Sequence, residues 1–227
     1  MATAQNIIDE VRAIIHDSVA TFRWSDVELI RYLNAGVRQT ISLVPEANAV
    51  QSIETIANSI GRQVIPSGGI KFIKAARNYA DDGTTPQGPI RVAEKDALDT
   101  YDPDWEYDTT IKADGANFYE HYCHDPREPK VYYLYPPSTE SDKRVAVVYS
   151  TVPTALTAVG DTFNLDDEYL NAVTLYVVYR ALTKESRQTI PAAYRQELWS
   201  NYLSALGLHR QAMQAVSPEN NAPPEAP

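Results

Sequence analysis

The run His121-Tyr122-Cys123-His124-Asp125 holds the densest set of metal-binding and nucleophilic side chains in the chain. A zinc site needs such ligands to converge from tetrahedral directions. On an extended segment His121 and Cys123 share one face and His124 points the other way, so the run cannot close a site by itself. A Cys–His nucleophile pair needs the base beside the thiol and a third group to orient it; the surrounding sequence supplies none. The run reads as a strand entering an Asp-Pro turn. A second cluster is the carboxylate series Asp99, Asp102, Asp104, Glu106 and Asp108, interleaved with Tyr101, Trp105 and Tyr107. Asp102, Asp104 and Glu106 match the first three ligands of a calcium loop. Tyr107 then stands where glycine is required and Ala113 where a bidentate Glu is required. The series reads as an acidic loop facing solvent or a lumen. Paired carboxylates for glycoside hydrolysis stay open, because their geometry is set in space. Phosphate-cradling glycine loops, Gly-x-Ser-x-Gly and His-Glu-x-x-His are missing. No catalytic, cofactor-binding or metal-binding residue is therefore assigned, and an enzyme is not expected.

The elements that would carry these residues fall into three blocks. The first helix is expected from about Thr3 to Val19, with Ile7, Ile8, Val11, Ile14 and Ile15 inward and Asp9, Glu10, Arg12 and Asp17 outward. Ser25-Asp26-Val27-Glu28 has the form of a capping box, and opens a helix that ends near Pro45. Val27, Ile30, Leu33, Val37, Ile41 and Val44 line one side of it. Gly36 in its middle costs about 1 kcal/mol against Ala unless it permits a close crossing. From Asn48 the period shortens. Gln51–Ala57, Gln63–Ile65, Ile70–Ala76, Ile90–Ala93, Phe118–Cys123, Val131–Tyr135 and Arg144–Val152 read as strands between Gly, Pro and Asp turns. Lys95 to Asp99 reads as one helical turn, and Val145–Tyr149, apolar on both faces, as a central strand.

The third block, Phe163 to Leu208, reads as two helices joined by the polar break 183–188, with Pro191 in the first turn of the second. Asp166, Asp167 and Glu168 suit a helix N-terminus, and Lys184 and Arg187 the other end. Leu170, Val173, Val177 and Ala181 keep helical spacing, but Leu175, Tyr176, Val178 and Tyr179 widen the stripe towards the whole circumference. Such a helix needs a partner on more than one side. Tyr194, Leu198, Tyr202 and Leu206 repeat every fourth residue along the second helix. The expected fold class is α+β. Residues 1–47 and 161–216 form an interrupted helical bundle, 48–160 an inserted antiparallel β-sheet or sandwich, and 217–227, with four prolines and no apolar payload, a disordered tail.

The 227 residues carry a formal charge of −10 and contain 15 Tyr against 4 Phe and 3 Trp. Tyrosine suits surfaces buried in assembly as much as cores. An acidic balance argues against gripping nucleic acid over the whole surface, which needs Lys and Arg on phosphate. Lone Cys123 allows no intrachain disulfide. No signal peptide and no apolar run near the ~20 residues of a membrane span is present, which fits a soluble protein of a cytoplasm.

Arg23-Trp24-Ser25-Asp26-Val27-Glu28-Leu29-Ile30-Arg31-Tyr32-Leu33-Asn34-Ala35-Gly36 resembles the opening of the head-to-tail adaptor (connector) proteins of tailed bacteriophages. Further along, Gln63 to Ile70, Pro103-Asp104-Trp105, Asp125 to Pro129 with Tyr132 to Pro137, Tyr149-Ser150 before Pro153, and Asp167-Glu168-Tyr169 leading into Tyr176 to Ala181 resemble that family in the same order. The succession spans about residues 5 to 208.

The resemblance implies a structural virion protein of the neck, without catalytic activity or cofactor. It implies a ring of copies, commonly twelve, beneath the portal protein, to which tail or tail-completion proteins dock. It also implies DNA passing through without specific binding, and no membrane. An acidic channel wall would suit that passage by repelling the phosphate backbone. The assembly-surface residues expected are Tyr169, Tyr176, Tyr179, Arg180, Tyr194 and Tyr202. The alternatives are a tail-tube or tail-completion protein, or a carbohydrate-binding module using Trp105, Tyr107, Tyr133 and Tyr135 as stacking platforms.

Overall fold

The computed structural model describes residues 2–17, 22–57, 60–108, 118–138, 143–184 and 191–216, with side chains as far as 207. Residues 185–190, which hold Arg187 and the polar break, and the Pro-rich 217–227 lie outside the described residues. The architecture is α+β, in two compact units: 1–47 with 153–227, and 48–152.

In the helical unit, α1 (Ala4–Ile14) starts on a complete capping box between Thr3 and Asn6. It ends earlier than its apolar spacing predicts, because His16 turns into the left-handed region at φ 56°. Two residues expected to face out are buried instead. Arg12 is 7% exposed and Asp17 6%. Arg12 Nη2 donates to the Trp24 carbonyl at 3.0 Å and pairs with Asp26 at 2.8 Å, while its guanidinium lies 3.8 Å over the Phe22 ring. Asp17 Oδ1 accepts from the Arg23 amide at 2.9 Å. This polar knot closes the turn into α2 (Asp26–Leu43), and a buried charge is stable only when so partnered.

At the head of α2 only half of the expected capping box forms. Ser25 Oγ accepts from the Glu28 amide at 3.3 Å, but the Glu28 carboxylate does not reach back. It accepts instead from Tyr32 Oη at 2.7 Å and Lys184 Nζ at 2.5 Å. Val27, placed on the inner stripe by spacing, is 61% exposed, and Leu29 takes the buried position. Gly36 does mark a close crossing: a Cβ there would lie 2.9 Å from Tyr176 Cδ1 and 3.3 Å from Val173 Cγ1. A 3-10 turn at Asp167–Tyr169 leads into α4 (Leu170–Lys184), which packs against α1, α2 and α5 (Ala192–Val216). The short α3 (Lys95–Tyr101) belongs to the other unit.

Residues 153–160 were expected in the β block but stand with the helices. The amides of Ala4 and Gln5 donate to the carbonyls of Asp161 and Val159, and Asn34 brackets Leu156, donating to its carbonyl and accepting from its amide, both at 2.8 Å. The segment thus satisfies the free N-terminal amides of α1, which a helix end requires.

The second unit is a sandwich of two four-stranded sheets. Sheet one runs β1 (Ala49–Thr55), β8 (Arg144–Thr151), β3 (Gly69–Tyr79), β4 (Pro86–Pro89); sheet two runs β2 (Arg62–Val64), β7 (Val131–Tyr135), β6 (His121–Cys123), β5 (Arg91–Val92). All pairings are antiparallel except β5 with β6. β8 lies between β1 and β3, as its two apolar faces predict. β4 is not visible in the strand pattern because prolines begin and end it, which an edge strand tolerates. Between the sheets lie Ile56, Phe72, Tyr132, Leu134, Val145 and Val147. Phe72 stacks on Tyr132 with centroids 4.6 Å apart and planes 8° from parallel. At the end of β3 the buried Asn78 donates to the Gly88 and Tyr119 carbonyls and accepts from the Tyr119 amide, standing in for backbone pairing.

Candidate assembly surface

The helix α4 is apolar nearly all round because three helices surround it. Ala172, Val173, Thr174, Val177, Val178 and Ala181 are all buried among them. Its tyrosines and those of α5 form a ladder of rings: Tyr176 lies 5.4 Å from Tyr202 and 6.3 Å from Tyr179, and Trp199 lies 5.3 Å from Tyr179 and 5.2 Å from Tyr202. The six residues expected at an assembly surface therefore divide. Tyr169 (4% exposed), Tyr176 (6%) and Tyr202 (0%) are spent inside the protomer. That corrects the expectation of free surface at these three: the width of the stripe is accounted for by α1, α2 and α5. Burial pushes the Tyr202 hydroxyl up to about 12 and also raises Tyr169. Tyr202 Oη lies 3.3 Å from Thr40 Oγ1, a partner for the buried hydroxyl.

The other three keep exposure. Arg180 is exposed at the α4 surface, its guanidinium 5.6 Å over the Tyr32 ring. Tyr179 is half-buried and lines a shallow cleft of about 250 Å³ with Thr183, Arg195, Gln196 and Trp199. Tyr194 is 44% exposed and Leu203 41%, both on the outer side of α5, whose described side chains are buried at Leu198, Tyr202 and Leu206.

In the sandwich, the acidic series is pinned down rather than gathered round an ion. Trp105 is fully buried on the outer face of sheet two, against Cys123, Val131 and Tyr133. Its Nε1 donates to Asp99 Oδ1 at 2.8 Å. Lys95 Nζ pairs with Glu106 at 3.0 Å and Asp99 at 3.4 Å, and sits 5.0 Å over the Tyr133 ring. Burial opposes the charge on Lys95, but these two carboxylates outweigh it and raise its pKa. The Gly61 amide donates to the Glu106 carbonyl and the Gly61 carbonyl accepts from the Leu134 amide, so the loop is stitched to β7.

His121, Cys123 and His124 diverge as their alternation requires. His121 leans towards Tyr135, Cys123 lies under Trp105, and His124 stands 5.3 Å from Phe72 with Nδ1 donating to the Val131 carbonyl at 2.8 Å. Burial pushes the Cys123 thiol up to about 12, so it stays protonated and poorly nucleophilic. Among the described residues no group of three or more His, Cys, Asp or Glu is placed to hold a metal. The rings proposed as sugar platforms do not form one: Trp105 and Tyr133 are buried, Tyr135 half-buried, and Tyr107 alone is exposed. No described helix is long and apolar enough to cross a membrane.

A family model for the SU10 adaptor protein matches residues 2–223. The chain belongs to the SU10 adaptor family. It is a head-to-tail adaptor, a structural protein of the virion. No curated protein matches the adaptor. Among solved structures it is similar to a chain in the neck of an empty GTA particle, computed with C6 symmetry. That chain is 14% identical, with 85% of each chain covered and a TM-score of 0.30.

Proposed function

We propose that copies of this adaptor form a ring beneath the portal protein of the filled head, that the genome passes through the ring, and that tail or tail-completion proteins dock on it. The observation that carries the reading is the family match over nearly the whole chain. Tyr194, Leu203 and Arg180 support it as side chains that the protomer leaves uncovered on its helical unit. The role is structural, without catalysis or cofactor, and the ring is commonly dodecameric in this class. A charge of −10 per copy suits a channel wall that repels the phosphate backbone and lets DNA slide. The test is to mix the purified full chain with its portal and weigh the product by mass photometry, then count copies by electron microscopy. A complex with one adaptor per portal subunit is expected. An adaptor that remains monomeric beside the portal but joins purified tail tubes would overturn the reading in favour of a tail component.

A further inference from the structure

One face of sheet one carries a row of four cations. β3 reads Gly69-Ile70-Lys71-Phe72-Ile73-Lys74-Ala75-Ala76-Arg77, a cation at every third residue. In a regular strand of period two that spacing would send alternate cations into the core. Three successive register shifts against β8, between Gly69 and Lys71, Phe72 and Lys74, and Ala75 and Arg77, each absorb one residue. Lys71, Lys74 and Arg77 therefore lie opposite Ser150, Val148 and Ala146, alternate residues on the side of β8 away from the core. Arg144, opposite Tyr79 and Thr55, ends the row. Successive cations stand two β8 residues apart, about 6.6 Å. The remaining outward positions of β1 are Ala49, Gln51, Ile53 and Thr55. The one carboxylate in the sheet's strands, Glu54, is paired opposite Val145 on the core side. Among the described residues none of the four cations has an ion-pair partner.

The opposite side of the sandwich has the complementary character. There the loop that seats Trp105 on sheet two holds out Tyr101, 93% exposed, and Tyr107, 66% exposed. Asp102 and Asp104, next to Tyr101 and near Tyr107 in the chain, have no ion-pair partner among the described residues, while Asp99 and Glu106 are occupied by Lys95. This is an acidic aromatic knob, and exposed tyrosine rings are good seats for Lys and Arg.

We propose that the two surfaces are halves of one contact: the Lys71–Lys74–Arg77–Arg144 face of one copy receives the Tyr101–Tyr107 knob of the next. The proposal rests on the ring reading and says which surfaces join neighbours in it. Two unlike patches on opposite sides of one unit make a heterologous contact, which does not stop at a dimer and closes into a ring when the rotation per copy allows. A nucleic acid is the weaker candidate for the cationic face, because a body of −10 opposes its approach, whereas every copy brings the acid that fits.

The test uses the full chain, half of it isotopically labelled, assembled on purified portal at low salt and treated with a carbodiimide. Cross-links from Lys71 or Lys74 to Asp102 or Asp104 between labelled and unlabelled copies are expected. Lys74→Glu with Arg77→Glu, and separately Asp102→Lys with Asp104→Lys, should each lower the inter-copy yield about tenfold, and mixing the two variants should restore it. All four positions are solvent-accessible, and an unchanged unfolding midpoint confirms that each variant folds. Rings that form without these cross-links and tolerate both reversals would overturn this contact and leave the ring standing. No assembly on portal would overturn both. Duplex DNA binding that is lost in Lys74→Glu/Arg77→Glu while the inter-copy cross-links persist would make the face a nucleic-acid contact and also overturn the proposal.

Discussion

Arg12 is the residue whose role departs furthest from its position in the helical pattern. Spacing places it on the solvent side of α1, yet the chain after α1 folds back and encloses it. Removing one member of a buried charge network leaves the others uncompensated. Arg12→Met should therefore lower the unfolding free energy by about 2–4 kcal/mol in urea titrations, with Asp17→Asn losing less. Glu28 lends itself to a pH test. Hydrogen bonds from Lys184 and then Tyr32 hold its carboxyl below the ordinary 4.5 despite some burial. A depressed carboxyl pKa gives stability that is present at neutral pH and lost as pH falls from about 4.5 through the folded value. Glu28→Gln should cost ~0.5 kcal/mol at neutral pH, and the difference from the parent should vanish in strong acid. Cys123 should resist alkylation at about pH 8 in the native protein and react fully once unfolded, since its thiol is both covered and protonated. The crossing at Gly36 and the divergence of the His–Cys run were legible in the sequence, because the first is a steric singularity and the second depends on residues near in sequence; the Thr3–Asn6 cap of α1 was not read from it. The Arg12 knot and the diverted Glu28 carboxylate were not, because their partners arrive from Trp24, Asp26 and Lys184 only after the helices have packed.

Among the elements, α4 carries the main lesson. Its wide apolar stripe correctly signalled more than one partner, but periodicity does not say whether that partner is another chain or another part of the same one. The protomer supplies three helices, and Tyr176 is consumed by Gly36 and Tyr202 rather than offered outward. Gly36→Ala gains helix propensity but drives a Cβ to 2.9 Å from a ring that Tyr202 and Trp199 hold in place. The clash should win, with a net loss of about 1–2 kcal/mol by thermal unfolding. In the sandwich, the loop after α3 hangs on one aromatic anchor. Trp105→Ala should destabilise the β unit by about 3–5 kcal/mol, and Trp105→Phe by ~1 kcal/mol through the lost bond to Asp99. Most strands were readable from alternation and turn residues. β4 was not, because its pairing is made by an edge in which proline is permitted. β3 was read short at Ala76, because its triplets break the two-residue period on which a strand is recognised.

For the whole molecule, the two units leave different kinds of side chain uncovered. The helical unit buries Tyr169, Tyr176 and Tyr202 in its own core and leaves Arg180 and Tyr194 outside. Tyr194→Ala with Arg180→Ala should therefore weaken incorporation into portal complexes while leaving the unfolding midpoint of the free chain within about 0.5 kcal/mol of the parent. The β unit carries a row of four cations on the outer face of sheet one and exposed Tyr101 and Tyr107 among carboxylates beside sheet two, a polarity invisible in a net charge of −10.

The triplets of β3 also bear on how this chain tolerates changes of length. Strike out Ile70, Ile73 and Ala76, one from each register shift, and the strand reads Gly-Lys-Phe-Lys-Ala-Arg-Asn, which alternates perfectly between core and solvent. Every remaining residue keeps its partner on β8. A single-residue deletion is normally ruinous in a central strand because it turns all later side chains over; deletion of Ile70 or Ile73 should instead remove one bulge and leave the rest of the β8 register in place, checked by an unfolding midpoint close to the parent's. In β1, which pairs with β8 in unbroken register, the same deletion would have no such slack to draw on.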